Sequence, residues 1–314
     1  MKAFALTTAD QPASLVDLPD PETGAGALPV RVRAASINAF DVHHATGLFM
    51  GMIPHDLPTV VGRDFAGVVE AVGEGRTDVA VGDEIFGFVS WAPPLHDGSF
   101  TETVVSGDLI FAPKPPGLSF ERAASLGLAG IAALDLVEAV DPALGDVVVV
   151  AGATGGVGSI AVQLAAKRGA SVVATAKAGE QEAFVRSLGA SDTVDYAAGN
   201  VAEQIRARYP AGVDALIDTV NRDEAAAELV ATVRDGGRLA TTQGTADVEG
   251  LATRTVRATN VVASPTPEKL GSLAAQAVGG GLIVQIQETF PLAEVQAALA
   301  AFSAGTTGKI VVVG

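Results

Sequence analysis

Four valines, Val147 to Val150, run into Ala151-Gly152-Ala153-Thr154-Gly155-Gly156-Val157-Gly158, and an amphipathic stretch from Ser159 to Arg168 follows. Strand, glycine turn and helix in this order make a pyrophosphate cradle. Gly155 and Gly156 let backbone N–H groups come close to the anion, Gly158 lets the helix pack near the strand, and the helix N-terminus faces the negative charge. Ala153 stands where the strict fingerprint has its first glycine, so the match is to a variant form. Gly73-Glu74-Gly75 lacks such flanks and reads as an ordinary turn.

A dinucleotide cofactor is distinguished at the end of the next strand, where NAD-binding chains place a carboxylate on the adenosine ribose. Here Val172-Val173-Ala174-Thr175-Ala176 ends without one, and Lys177 follows. A cation in place of the acid points to a 2′-phosphate and hence to NADPH, although Glu180 and Glu182 lie near in sequence. The chain has no cysteine, which removes disulfides, thiolate catalysis and cysteine-ligated zinc together. His43 and His44 are adjacent, but side chains at successive positions diverge, so no metal site is expected there.

These groups must be carried by a chain of 314 residues, the length of two packed domains. Its 48% hydrophobic and 18% charged composition is that of a folded globular protein. A formal net charge of −16 disfavours nucleic acid and anionic membranes as partners. The longest apolar runs are strand-length, well short of the roughly 20 residues of a membrane span, and the N-terminus lacks a secretory pattern, so a cytoplasmic location is expected.

Up to about residue 115 the chain is β-rich and punctuated by turns, with strands expected at Val30–Ala35, Gly67–Val72 and Thr103–Val105. Ser119–Glu138 reads as helical. Beyond it strands at Val147–Ala151, Val172–Ala176, Thr193–Asp195, Ala215–Asp218, Gly237–Thr241 and Asn260–Ala263 alternate with helical stretches, as in a doubly wound parallel sheet. A helix at Pro267–Ala277 and strands at Leu282–Glu288 and Gly308–Val313 complete the chain.

Ala34-Ala35-Ser36-Ile37-Asn38-Ala39-Phe40-Asp41, Val61-Gly62-Arg63-Asp64-Phe65-Ala66-Gly67-Val68-Val69, Val81-Gly82-Asp83, the 151–158 turn and Gly308-Lys309-Ile310-Val311-Val312 occur in this order. Together they resemble the medium-chain dehydrogenase/reductase superfamily, in its zinc-free quinone oxidoreductase branch that includes zeta-crystallin. The resemblance implies an α/β fold: a chaperonin-10-like β-rich catalytic domain (1–117 and 282–314) with a doubly wound parallel-sheet Rossmann NADP-binding domain (118–281) inserted. The places of the zinc ligands of metal-dependent relatives resemble Asn38, Arg63 and about Ser125 here.

What the resemblance implies is an NADPH-dependent reductase, using neither zinc nor flavin, that delivers hydride to a quinone or an α,β-unsaturated carbonyl. Alcohol oxidation in the metal-dependent relatives needs a Lewis acid, whereas these acceptors are already electrophilic. Asn38 is the candidate hydrogen-bond donor to the developing oxyanion, and His43 a candidate proton donor or pocket residue. Thr154, Gly155, Gly156 and Val157 are expected on the pyrophosphate, Lys177 and Tyr196 at the 2′-phosphate, Val220, Thr242 and Gly244 beside adenine and nicotinamide, and Lys309 on the phosphates. Phe49, Met50, Met52 and Trp91 offer apolar surface to a substrate, and Ala132 stands where relatives commonly carry a threonine. The competing readings are an enoyl thioester reductase and a non-catalytic, crystallin-like NADPH-binding protein. A homodimer paired through the Rossmann sheet edge is the expected assembly.

Overall fold

The structure, a computed structural model, describes residues 1–20 and 23–314. The chain divides into two compact units, one of Met1–Ala129 with Pro265–Gly314 and the other of Gly130–Ser264.

Among the described residues, the second unit is built on a six-stranded parallel sheet. In spatial order its strands are Asp192–Val194, Ser171–Thr175, Val147–Ala151, Val213–Asp218, Val233–Thr241 and Arg257–Asn260. Their sequence order across the sheet is 3-2-1-4-5-6, the doubly wound arrangement. Val148, Val149, Val150, Leu216, Ile217 and Leu239 are buried, as a sheet covered on both faces requires. Because all six strands run the same way, the turns after Ala151, Thr175, Asp218 and Thr241 emerge at one end of the sheet.

The first unit carries a mostly antiparallel sheet with the strands Leu28–Ser36, Asp64–Val69, Glu84–Val89, Thr103–Ser106, Leu109–Pro113, Ile286–Pro291 and Lys309–Val313. Its core joins both ends of the chain: Phe4, Leu6, Val30, Ile37, Phe65 and Phe100 pack in one cluster with Ile310 and Val312. Lys309–Val313 pairs with Leu28–Ser36, Val311 opposite Ser36, which brings the C-terminal strand beside Ile37 and Asn38.

Several boundaries differ from the sequence reading. The helical stretch expected over 119–138 is divided into two helices, Phe120–Ala124 and Leu128–Val140. The break has a cause: a Cβ at Gly127 would lie 2.4 Å from Asp64 Oδ1, and the same oxygen accepts a 2.6 Å hydrogen bond from the Leu128 N–H. Helix Pro267–Val278, expected within the dinucleotide domain, instead packs on strand Leu109–Pro113 and belongs to the first unit. The last strand of the parallel sheet is Arg257–Asn260 rather than Asn260–Ala263.

Candidate active site

Within the expected turn the positive φ falls on Gly152, one residue before the place of the fingerprint's first glycine. Gly152 takes φ +77°, and a Cβ there would lie 2.3 Å from Thr219 Oγ1, so the tight turn that needs glycine falls at 152 and Ala153 is free to be buried. A Cβ on Gly158 would meet the Gly152 carbonyl oxygen at 2.1 Å, which fixes how near helix Gly156–Lys167 lies to its strand. The turn is held by Gly152 N–H on Thr175 Oγ1 (3.0 Å) and Thr219 Oγ1 on the Ala151 carbonyl (2.9 Å). Ser119, Asn200, Asp247 and Thr266 cap their helices with a side chain, but Gly155 has none to offer. The first-turn donors of this helix are therefore left for an anion.

Lys177 and Tyr196, separated by 19 positions, meet. Lys177 Nζ lies 5.5 Å from the centre of the Tyr196 ring, and Gln181 Oε1 accepts both the Lys177 backbone N–H (3.0 Å) and the Tyr196 hydroxyl (2.9 Å). Tyr196 is exposed. The neighbouring acid, Asp195, spends its two oxygens on the backbone N–H groups of Ala197 and Ala178, which hold its carboxyl below the usual range. Val220, Thr242 and Gly244 lie in the turns at the same end of the sheet. Asp218, which the sequence reading passed over, shapes the first of them by accepting N–H bonds from Val220 (3.1 Å) and Asn221 (3.0 Å). It is buried, and burial pushes its carboxyl up. This uncapped glycine turn with a lysine at the next strand end fits a dinucleotide bearing an extra phosphate.

The first unit gathers a different kind of chemistry. Asn38 precedes helix Ala39–Ala45, and its backbone N–H donates to Asp41 Oδ2 (2.8 Å). Its carboxamide is used on both sides: Nδ2 donates to Asp64 Oδ2 (2.8 Å) and Oδ1 accepts from Lys309 Nζ (2.7 Å). Lys309 Nζ also donates to the Ile37 carbonyl (2.7 Å) and lies 3.9 Å from Asp64. Asp64 completes its set with Ser36 Oγ (2.6 Å) and the Leu128 N–H. Lys309, expected on a phosphate, is thus enclosed among Ile37, Asn38 and Asp64, and its side chain is only 4% exposed.

Burial dominates the titration of this group. It lowers Lys309, against the opposing pull of Asp64 and Asp41, and raises Asp64. Asp41 is pushed up to about 7, first by burial and then by the charge of Asp64. His44, buried with neither ring nitrogen hydrogen-bonded, is pushed down to about 3 by burial and by Arg63. His43 is half-buried, its ring edge-on to Phe49 at 6.0 Å. Phe40, Phe49 and Trp91 form an aromatic group, Phe40 stacking on Phe49 at 4.8 Å and meeting Trp91 at 5.8 Å. Met52 is exposed and Met50 half-buried against the core.

Residues 24–115 match the family model described as alcohol dehydrogenase GroES-like domain, and residues 156–277 the one described as zinc-binding dehydrogenase. The chain belongs to the medium-chain dehydrogenase/reductase superfamily. Over its full length this medium-chain fold superposes on the quinone oxidoreductase of Coxiella burnetii (TM-score 0.89, 29% identity, 100% of this chain and 99% of that one). It likewise superposes on a mycobacterial protein solved with NADPH (TM-score 0.84, 27% identity, 100% of both chains). The Arabidopsis thaliana chloroplastic NADPH-dependent alkenal/one oxidoreductase is 33% identical over 68% of this chain and 54% of its own length. The 2-haloacrylate reductase of a Burkholderia species is 33% identical over 64% of this chain and 60% of its own. The chain thus spans between about half and three-fifths of these curated relatives.

The residues at the superfamily's zinc-ligand places do not fit a metal. Arg63 is a buried cation with no lone pair to offer, Asn38 Oδ1 is taken by an ammonium, and Ser125 Oγ donates to the Glu121 carbonyl (2.8 Å).

Proposed function

We propose that this chain is an NADPH-dependent reductase of a quinone or an α,β-unsaturated carbonyl that works without zinc or flavin. The observation that carries the cofactor choice is Lys177 lying over Tyr196 at the strand end where an NAD-binding chain would have a free carboxylate. Thr154, Gly155, Gly156 and Val157 would hold the pyrophosphate, Lys177 and Tyr196 the 2′-phosphate, and Val220, Thr242 and Gly244 would border the adenine and nicotinamide. NADPH, when bound, supplies the hydride.

The choice of acceptor follows from Arg63. With a buried cation where metal-dependent relatives bind zinc, a Lewis-acid step has no ligand set, and an acceptor that is electrophilic by itself is favoured. The activities by which the similar alkenal/one, haloacrylate and quinone reductases are named support the same class. Asn38 acts here by fixing Asp41, Asp64 and Lys309 to one another, because both sides of its carboxamide are already bonded. His43, beside Phe49, lines the aromatic group and is the nearer candidate to meet a substrate. The assembly that fits the reading is a cytoplasmic homodimer, with the strand Arg257–Asn260 as the sheet edge open to a second copy.

The test is NADPH consumption with a panel of quinones and enones after exhaustive chelation. Turnover that survives chelation supports the reading, and zinc-dependent turnover of an alcohol overturns it.

A further inference from the structure

Arg63 is fully buried, yet two of its three guanidinium nitrogens have no partner. Nη1 donates to the Ser90 carbonyl (2.9 Å), while Nε and Nη2 are unbonded. Those two atoms form the side-on edge of the guanidinium, whose parallel N–H bonds match the two oxygens of a carboxylate. Arg76 uses the same edge in that way, with Nε on Asp78 Oδ1 (3.1 Å) and Nη2 on Oδ2 (2.8 Å). Leaving such an edge unsatisfied in a dry interior is costly, so a residue kept there implies an acceptor.

Among the described residues no acid fills it, although the charges of Asp41 and Asp97 both act on Arg63. Asp64 is occupied by Ser36, Asn38 and Leu128, and Asp41 turns Oδ2 to Asn38, leaving Oδ1 unbonded. The guanidinium carbon sits 5.5 Å from the centre of Phe40, whose ring continues into Phe49 and Trp91, all half-buried. These rings are the apolar surface nearest to the Arg63 guanidinium for which a ring contact is seen, and they suit a short apolar body.

We infer that Arg63 is a carboxylate anchor, and that the acceptors this chain prefers are small α,β-unsaturated acids, held through both carboxylate oxygens by Nε and Nη2. The inference rests on the reductase reading for its use in turnover, but not for binding. A ketone has one oxygen and would use half the fork. As reduction proceeds, charge moves onto the carboxylate, and a fixed guanidinium stabilises it there. The net change is saturation of the C=C bond, with two electrons and one proton arriving as hydride from NADPH and the second proton from solvent.

The experiment compares crotonate with crotonamide, equal in shape but not in charge, by calorimetric titration of the full chain saturated with NADP+. Binding of crotonate about tenfold tighter than crotonamide is expected, with that preference abolished in Arg63→Gln and reduced in Arg63→Lys, which keeps the charge without the fork. NADPH affinity, read separately, reports whether each variant is folded. Equal binding of the two probes by the wild-type chain means that Arg63 is satisfied by water alone and overturns the inference, whatever the variants do. If enones are reduced while crotonate has no advantage, the reductase reading stands and the anchor falls. If crotonate binds tightly but no acceptor is ever reduced, the anchor stands and the reductase reading falls.

Discussion

The two units handle charge in opposite ways. In the Gly130–Ser264 unit the candidate phosphate site is made mostly of backbone: an uncapped helix end, glycines at 152 and 158 where a Cβ would press on its neighbours, and one lysine over an exposed tyrosine. In the other unit Asp41, Arg63, Asp64 and Lys309 are all buried, and the side chains of Ser36 and Asn38 and of one another join a few backbone groups in partnering them, with two Arg63 nitrogens left over. A backbone site binds many phosphates and asks little of its neighbours. A buried side-chain site is selective, because each missing partner is expensive.

The comparison can be broken most forcefully at Lys309. Lys309→Met leaves Asp64 and Asn38 without their cation, and removing one partner of a buried ionic group costs roughly 3–5 kcal/mol. Chemical denaturation reads this directly, and a loss below about 1 kcal/mol would place the cluster in contact with water. Next comes Gly158→Ala. Its methyl would press on the Gly152 carbonyl, costing about 1–3 kcal/mol of stability and weakening NADPH binding, as titration of the fluorescent cofactor will show.

Lys177→Ala tests the cofactor assignment at smaller cost. The side chain is near the surface, so we expect the NADPH-over-NADH preference in kcat/KM to fall by about tenfold, with stability unchanged. An unchanged preference removes the 2′-phosphate role.

The smallest effects are in the pH dependence of stability. The Asp41 pKa is raised in the folded state, so its contribution is full below the ordinary 3.8 and is lost as pH rises through about 7. His44 is lowered, so its contribution is present above 6.5 and lost as pH falls towards about 3. Between those limits the two oppose each other. Asp41→Asn should therefore make stability decline more steeply on acidification from about pH 8 to about pH 5, and His44→Phe should make it decline less, both read from urea midpoints.

The legibility of the sequence follows the same division. The strand, turn and helix at 147–168 are contiguous, so their order could be read directly, and Lys177 stood out as a candidate because it follows the next strand. That the positive φ falls on Gly152 rather than on Ala153 could not be read from the sequence, because only the backbone shows it. The buried cluster was barely legible: Asn38 and Lys309 lie 271 positions apart, and no local pattern says that strand 309–313 brings them together. Asn38 was read as a free donor and Lys309 as a phosphate ligand, because a sequence gives a side chain's type and not its partner. Gly127 was the one local signal, an interruption in a helical stretch that makes room for Asp64.

The central claim is most directly tested by following NADPH absorbance with purified, chelator-treated protein and a quinone, an enone and an unsaturated acid in parallel. Steady consumption with at least one of these acceptors, unaffected by zinc, is the predicted result. Normal NADPH binding with no consumption by any of them would contradict it and leave a cofactor-binding protein without reductase chemistry.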